Sequence, residues 1–260
     1  MSAAEQLPTL IAAGVLVLLV GLESLAPAVA DRRHRLRHAT RNLTLGLLNA
    51  LAVTLPFTPL IAQADLWAEE SGFGLLRMIP LPAMAKTVAA LLLFDGWMYL
   101  WHRANHELGF LWRFHQVHHS DPEVDATTAV RFHTGEILLS SMLRLIVIPL
   151  LGITLAQLLV YEMLLLPVIL FHHSNVQFPE WLDRRLRAGI VTPAIHRVHH
   201  SRLRSETDSN YSSVFSFWDR IAGTLRLRPG GEPVSFGLDE YDDETWQRVP
   251  GLMTMPLVRR

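Results

Sequence analysis

The stretch Leu7–Ala30 (LPTLIAAGVLVLLVGLESLAPAVA) carries one charged side chain, Glu23, and is long enough to cross a bilayer. Inside lipid every backbone N–H and C=O must be paired within the chain, so such a run folds as a helix. A signal peptide is the competing reading. No basic stretch precedes the run, however; Arg32, Arg33, Arg35, Arg37 and Arg41 follow it, with His34 and His38 between them. An arginine-rich loop after a span stays on the cytoplasmic side. His34 and His38 are expected to be solvated residues of that interface.

Three more apolar runs follow. Leu43–Ala64 has no charge, and Pro56 and Pro59 lie near its far end. The next loop sets Asp65, Glu69 and Glu70 against Arg77, as an outer loop does. Ala83–Trp101 returns to the cytoplasmic side, with Trp97, Tyr99 and Trp101 suited to an interfacial aromatic belt. Ile137–Phe171 is mostly apolar, with Arg144 and Glu162 inside it, and is broken at Pro149-Leu-Leu-Gly152. Two helices of about 16 residues would each reach about 24 Å, just short of the hydrocarbon thickness, so a hairpin entering and leaving on one side is expected. Composition agrees: 50% of residues are hydrophobic and 18% charged, with mean hydropathy +0.24. The fold class is therefore an all-α integral membrane protein, with about three spanning helices, a membrane hairpin and a cytoplasmic helical cap. Residues 1–82 would form N-terminal spans and loops, 83–228 the histidine-bearing domain, and 229–260 a soluble tail after the Pro229-Gly-Gly231 break.

A net charge of −1 gives no field for nucleic acid, and the absence of cysteine excludes disulfides, thiolate sites and cysteine-held iron–sulfur clusters. Histidine is what remains. HQVHHS at His115–Ser120 recurs as HRVHHS at His196–Ser201, and WHRANH places His102 and His106 four apart. Positions i, i+3 and i+4 share one helix face, so His115, His118 and His119 point one way, as do His196, His199 and His200. His133 in RFHTGE and the pair His172-His173 in FHHSN add to the set. Neutral imidazole is the commonest protein ligand of borderline divalent ions, and this many rings suffice for two. The boxes can meet only if the hairpin crosses an even number of times, which puts them all on the cytoplasmic face.

These boxes, with YLWHRANH around the first, RFHTGE after the second and SNYSSVFSFWDRIAGT after the last, resemble the fatty acid hydroxylase/sterol desaturase superfamily of membrane di-iron oxidases. The resemblance covers about Leu92 to Leu225 and is nearest the bacterial sterol-desaturase-like and alkylglycerol-monooxygenase branches. It implies two non-haem iron ions that use O2 to hydroxylate or desaturate a lipid. By position it makes His102, His106, His115, His118, His119, His173, His196, His199 and His200 the ligands, His133 a further one and His172 a second choice to His173. Iron comes from the resemblance; imidazole alone suits zinc and copper as well.

Metal-bound histidines usually donate their second N–H to a carboxylate or carbonyl. Asp95, Glu136 and Asp208 are the catalytic-site carboxylates nominated for that role. Asp95 shares a helix stripe with His102 and His106 but would have to meet a histidine of another segment; the alternative is a buried pair with Arg103 or Arg144. No dinucleotide loop or haem domain is recognisable, so electrons must come from a separate ferredoxin, cytochrome or reductase, or from a pterin if the alkylglycerol-type comparison holds. A zinc-dependent membrane hydrolase and a haem electron-transfer protein are the competing functions. Against them stand a histidine set too large for hydrolytic zinc and tripled histidines where haem would need single ones. A bacterial inner membrane is the expected location.

Overall fold

A computed structural model describes residues 3–30, 34–228 and 234–258; Arg32, Arg33 and Pro229-Gly-Gly231 lie outside the described residues. Helix α1 (Ala3–Leu25) is followed by α2 (Arg35–Asn49), which runs through a π-helical turn (Ala50–Thr54) into α3 (Leu55–Ser71). The short α4 (Leu75–Met78) leads into α5 (Ala83–Glu107) and α6 (Gly109–His119). The hairpin is α7 (Thr134–Leu151) and α8 (Leu155–His173). The cap is built from α9 (Glu180–Leu186), α10 (Pro193–His199), α11 (Arg204–Thr207), α12 (Phe217–Ile221) and α13 (Val249–Thr254). Among the described residues there are only isolated bridges and no strand. Five helical segments are long and apolar enough to cross a membrane: α1, the α2–α3 rod, α5, α7 and α8. The chain is all-helical, and these segments point to an integral membrane protein.

The hairpin legs have 18 and 19 residues, about 27 and 28 Å at 1.5 Å rise, longer than the sequence suggested. Gly152, at φ 72°, ends α7. Thr154 and Gln157 then cap α8 reciprocally, and Asp65 accepts the Leu155 N–H at 2.8 Å. Gly74 sits against this turn, where a Cβ would come within 2.5 Å of Gly152 Cα. Around Phe94, Ile148, Leu158, Tyr161 and Leu165 the spans share an apolar core. Trp97 packs against it, Tyr99 is buried and bonds Thr224, and Trp101 lines a cavity. Tyr99 is thus turned into the protein, whereas Trp97 and Trp101 stay partly exposed.

In the long rod, the inward-facing Leu45, Asn49, Val53 and Phe57 are four residues apart. An ideal α-helix overshoots by about 40° at each such step, and the wider π-helical turn takes the overshoot back. The segment after residue 233 is no loose tail: Leu252 and Met255 are fully buried against Leu45 and Val117. His38, expected in solvent, is buried with Nε2 2.7 Å from Asp121, while His34 is exposed. The C-terminal ends of α5 and α8, the start of α7, and α6 and α10 all meet at one end of the bundle.

Candidate metal centre

Two histidine groups meet there. His102, His106, His115, His119 and His199 form one; His118, His173, His196 and His200 form the other, each with ring nitrogens within 4.8 Å of one another. The helix spacing does this directly: box after box turns one face inward, and α10, started by Pro193, faces α6.

The partners of the outer ring nitrogens fix the tautomers. His102 Nδ1 donates to Tyr211 O at 2.9 Å, His118 to Arg131 O at 3.3 Å, His173 to Ile169 O at 2.8 Å and His199 to Ser209 O at 2.6 Å. A carbonyl only accepts, so each of these rings carries its proton on Nδ1 and turns a bare Nε2 inward. Yet His173 Nε2 lies 3.1 Å from His118 Nε2, two lone pairs face to face. His196 Nε2 lies 2.9 Å from His173 Nε2, and His200 Nε2 3.2 Å from His196 Nε2. Two imidazoles on one ion at about 2.1 Å have their nitrogens about 3.0–3.4 Å apart. In the other group His106 Nε2 and His199 Nε2 are buried with no partner among the described residues. The buried clusters fit a metal site.

Burial, with neighbouring imidazoles adding to it, holds His118, His119, His196 and His200 well below the ordinary histidine range. Burial likewise brings His199 down to about 3. The rings are thus kept in the neutral form that ligates.

The three nominated carboxylates have different surroundings. Glu136 accepts from His115 Nδ1 at 2.9 Å, with its other oxygen buried and unpartnered among the described residues. Asp208, a third exposed, reaches His106 Nδ1 at 3.3 Å and also takes Arg204 Nε at 2.6 Å. Asp95 touches neither a histidine nor Arg103 or Arg144. It is fully buried and accepts from Tyr161 Oη (2.6 Å), Trp218 Nε1 (2.9 Å) and the Val214 and Phe215 N–H groups. Its four donors pin the turn that precedes α12.

His133 stands apart from both groups. Its Nδ1 accepts the Gly135 N–H at 2.9 Å, capping α7, and its Nε2 donates to Met253 O at 3.1 Å, so both nitrogens are already used. His172 is buried beside the second group, stacked on His196 at 4.0 Å, and neither ring nitrogen has a partner among the described residues.

Sequence reasoning missed three supports. Asp219 accepts from the Tyr211 and Ser212 N–H groups at 2.8 and 3.0 Å, fixing the carbonyl that receives His102. Asn210, at φ 56°, ties Ile195 O to Arg226 through its amide. Arg131, fully buried, joins Val117, Asn42, Ser120 and Gln247 and offers its carbonyl to His118. The run SNYSSVFSFWDRIAGT held the first two in plain sight; Arg131 stands only two residues before His133.

Comparison with known proteins agrees with this geometry. The profile of the family described as fatty acid hydroxylase matches residues 87–224. The chain is 30% identical over 162 residues to ornithine lipid hydroxylase OlsE of Rhizobium tropici, covering 60% of this chain and 46% of that protein. It is 29% identical over 216 residues to human alkylglycerol monooxygenase, covering 78% and 44%. It is also 28% identical over 166 residues to rat cholesterol 25-hydroxylase, covering 62% and 53%. It thus spans about half the length of these relatives. No solved structure matches it. With the family's profile lying across both histidine groups, the chain belongs to the fatty acid hydroxylase family.

Proposed function

We propose that this chain is a membrane-bound lipid oxidase, holding two iron ions in its histidine groups and hydroxylating or desaturating a fatty acyl, alkyl or sterol substrate with O2. The observation that carries the reading is the opposition of bare Nε2 lone pairs in a buried cluster that opens on an apolar cavity. That cavity, of about 430 Å³, is bordered by His102, His115, His118, His173 and His196 at one end and by Phe57, Ile61, Leu158, Leu165 and Ile169 along its length. The nine histidines of the two groups are the proposed ligands. Bound iron would supply O2 activation and the removal of a hydrogen atom from an unactivated C–H bond.

The chain's own residues do the rest. Glu136 fixes His115 in the tautomer that turns Nε2 inward, and Asp208 does the same for His106. The cavity's aliphatic wall desolvates the hydrocarbon and keeps water from the reacting carbon. Electrons come from a separate ferredoxin, cytochrome or reductase, or from a pterin. We place the histidines on the cytoplasmic face of a bacterial inner membrane, with residues 1–82 as anchoring spans, 83–228 as the oxidase domain and 229–260 as a C-terminal cover.

Metal content per chain of detergent-purified protein tests the reading. Wild type should hold about two irons with no haem band. His199→Ala should hold less. One zinc, a haem spectrum, or full iron in the variant would overturn it.

A further inference from the structure

Arg144 on α7 and Glu162 on α8 both border the cavity, whose lining near Arg144 also includes Ser140 and Ser141 one helical turn away. They face each other across the hairpin at 3.5 Å, a loose contact for an ion pair. Arg144 is otherwise poorly served: Nη2 reaches only Met98 Sδ at 3.8 Å, its guanidinium lies 5.6 Å from the centre of the Phe94 ring, and Nε is buried with no partner among the described residues. Charges at membrane depth are costly and are normally paired closely or used. The pair leaves donor and acceptor capacity facing the cavity.

We infer that Arg144 and Glu162 receive the polar end of the substrate, and that this end is a hydroxyl. The assignment rests on the lipid-oxidase reading of the same cavity. The pair is neutral as a unit, so a carboxylate or phosphate would add an unbalanced charge at membrane depth. A hydroxyl adds none: its hydrogen donates to Glu162 and its oxygen accepts from an Arg144 Nη. The pair also measures the substrate. Along α7, Arg144 is eight residues from Glu136, and along α8, Glu162 is eleven from His173, about 12 and 16 Å of helix. An extended chain advances about 1.2 Å per bond, so a hydroxyl held here sets a carbon about ten to thirteen bonds away beside the histidines. Arg144 and Glu162 are thus specificity residues that choose an alcohol and the position at which it is oxidised.

The test is binding of tritiated hexadecan-1-ol, hexadecane and hexadecanoate to the purified full chain, without turnover. Wild type should hold hexadecanol about ten- to hundredfold more tightly than hexadecane, the worth of a hydrogen bond to a charged group. Arg144→Met/Glu162→Leu removes both charges together and should bind the two alike, with metal content unchanged as proof of fold. Glu162→Gln, which keeps volume and shape, should weaken hexadecanol several-fold and leave hexadecane unaffected. Equal binding by wild type, tighter binding of hexadecanoate, or a preference surviving in the double variant would overturn the assignment. A wild type that prefers hexadecanol but oxidises no lipid would instead count against the oxidase reading alone.

Discussion

Glu136 and His133 stand three residues apart at the start of α7, and opposite outcomes are expected of them. Glu136 holds His115 through Nδ1, so Glu136→Gln should lower metal affinity about 10–100-fold with the helical content intact, read by metal titration and circular dichroism. His133 uses its ring to cap the helix, so His133→Ala should cost about 1 kcal/mol of stability and leave metal content unchanged. Loss of metal in the second variant would restore His133 as a ligand. The sequence showed a histidine near the boxes, but nothing in the spacing of RFHTGE tells a ring facing a metal from one accepting the N–H two residues on. His38 was misread for a related reason. Its i, i+4 relation to His34 is local, whereas the carboxylate that buries it, Asp121, is 83 positions away. Asp95 could be identified as functional or structural only through Trp218, 123 positions away.

At the scale of elements, the turns far from the histidines are as constrained as the boxes. Gly74 has φ 118°, and a Cβ there would sit 2.5 Å from both Gly152 Cα and Pro149 O. Gly74→Ala should therefore cost well over about 1 kcal/mol, since strain and a backbone clash add. Gly72→Ala, at φ 65° with open space around it, should cost less. Thermal unfolding of the two variants in detergent ranks them, and a reversed order would mean that the hairpin turn gives way. The helices themselves were legible from their apolar runs, because lipid leaves the backbone no alternative. The lengths of the hairpin legs were not, since α7 and α8 each extend past the apolar run into polar residues of the site: Glu136 at one end, His173 at the other.

Across the whole molecule, crossing by all five candidate spans would put the histidine end and the Gly152 turn on opposite faces. The chain has no cysteine, so single cysteines report this cleanly. Ser205→Cys, in the cap, should react with a membrane-impermeant maleimide only from the cytoplasmic side, and Ser71→Cys, at the end of α3, only from the other. Labelling of both from one side would dismantle the proposed topology. The shared site was legible at this scale because parity of crossings is a counting argument. The cavity was not, because it depends on how far the hairpin legs part. The π-helical turn of the α2–α3 rod bears on both ends together. It acts as a phase correction: it lets His38 and Asn42 meet Asp121 and Thr127, between α6 and α7, while Asp65 meets the start of α8. Deleting one residue between Ala50 and Thr54 would rotate one half of the rod by about 100° against the other. Either the buried network at Asp121 or the cap of α8 would then lose its partner. This wall of the cavity can be reshaped by substitution but cannot change length without breaking its register with one face of the protein.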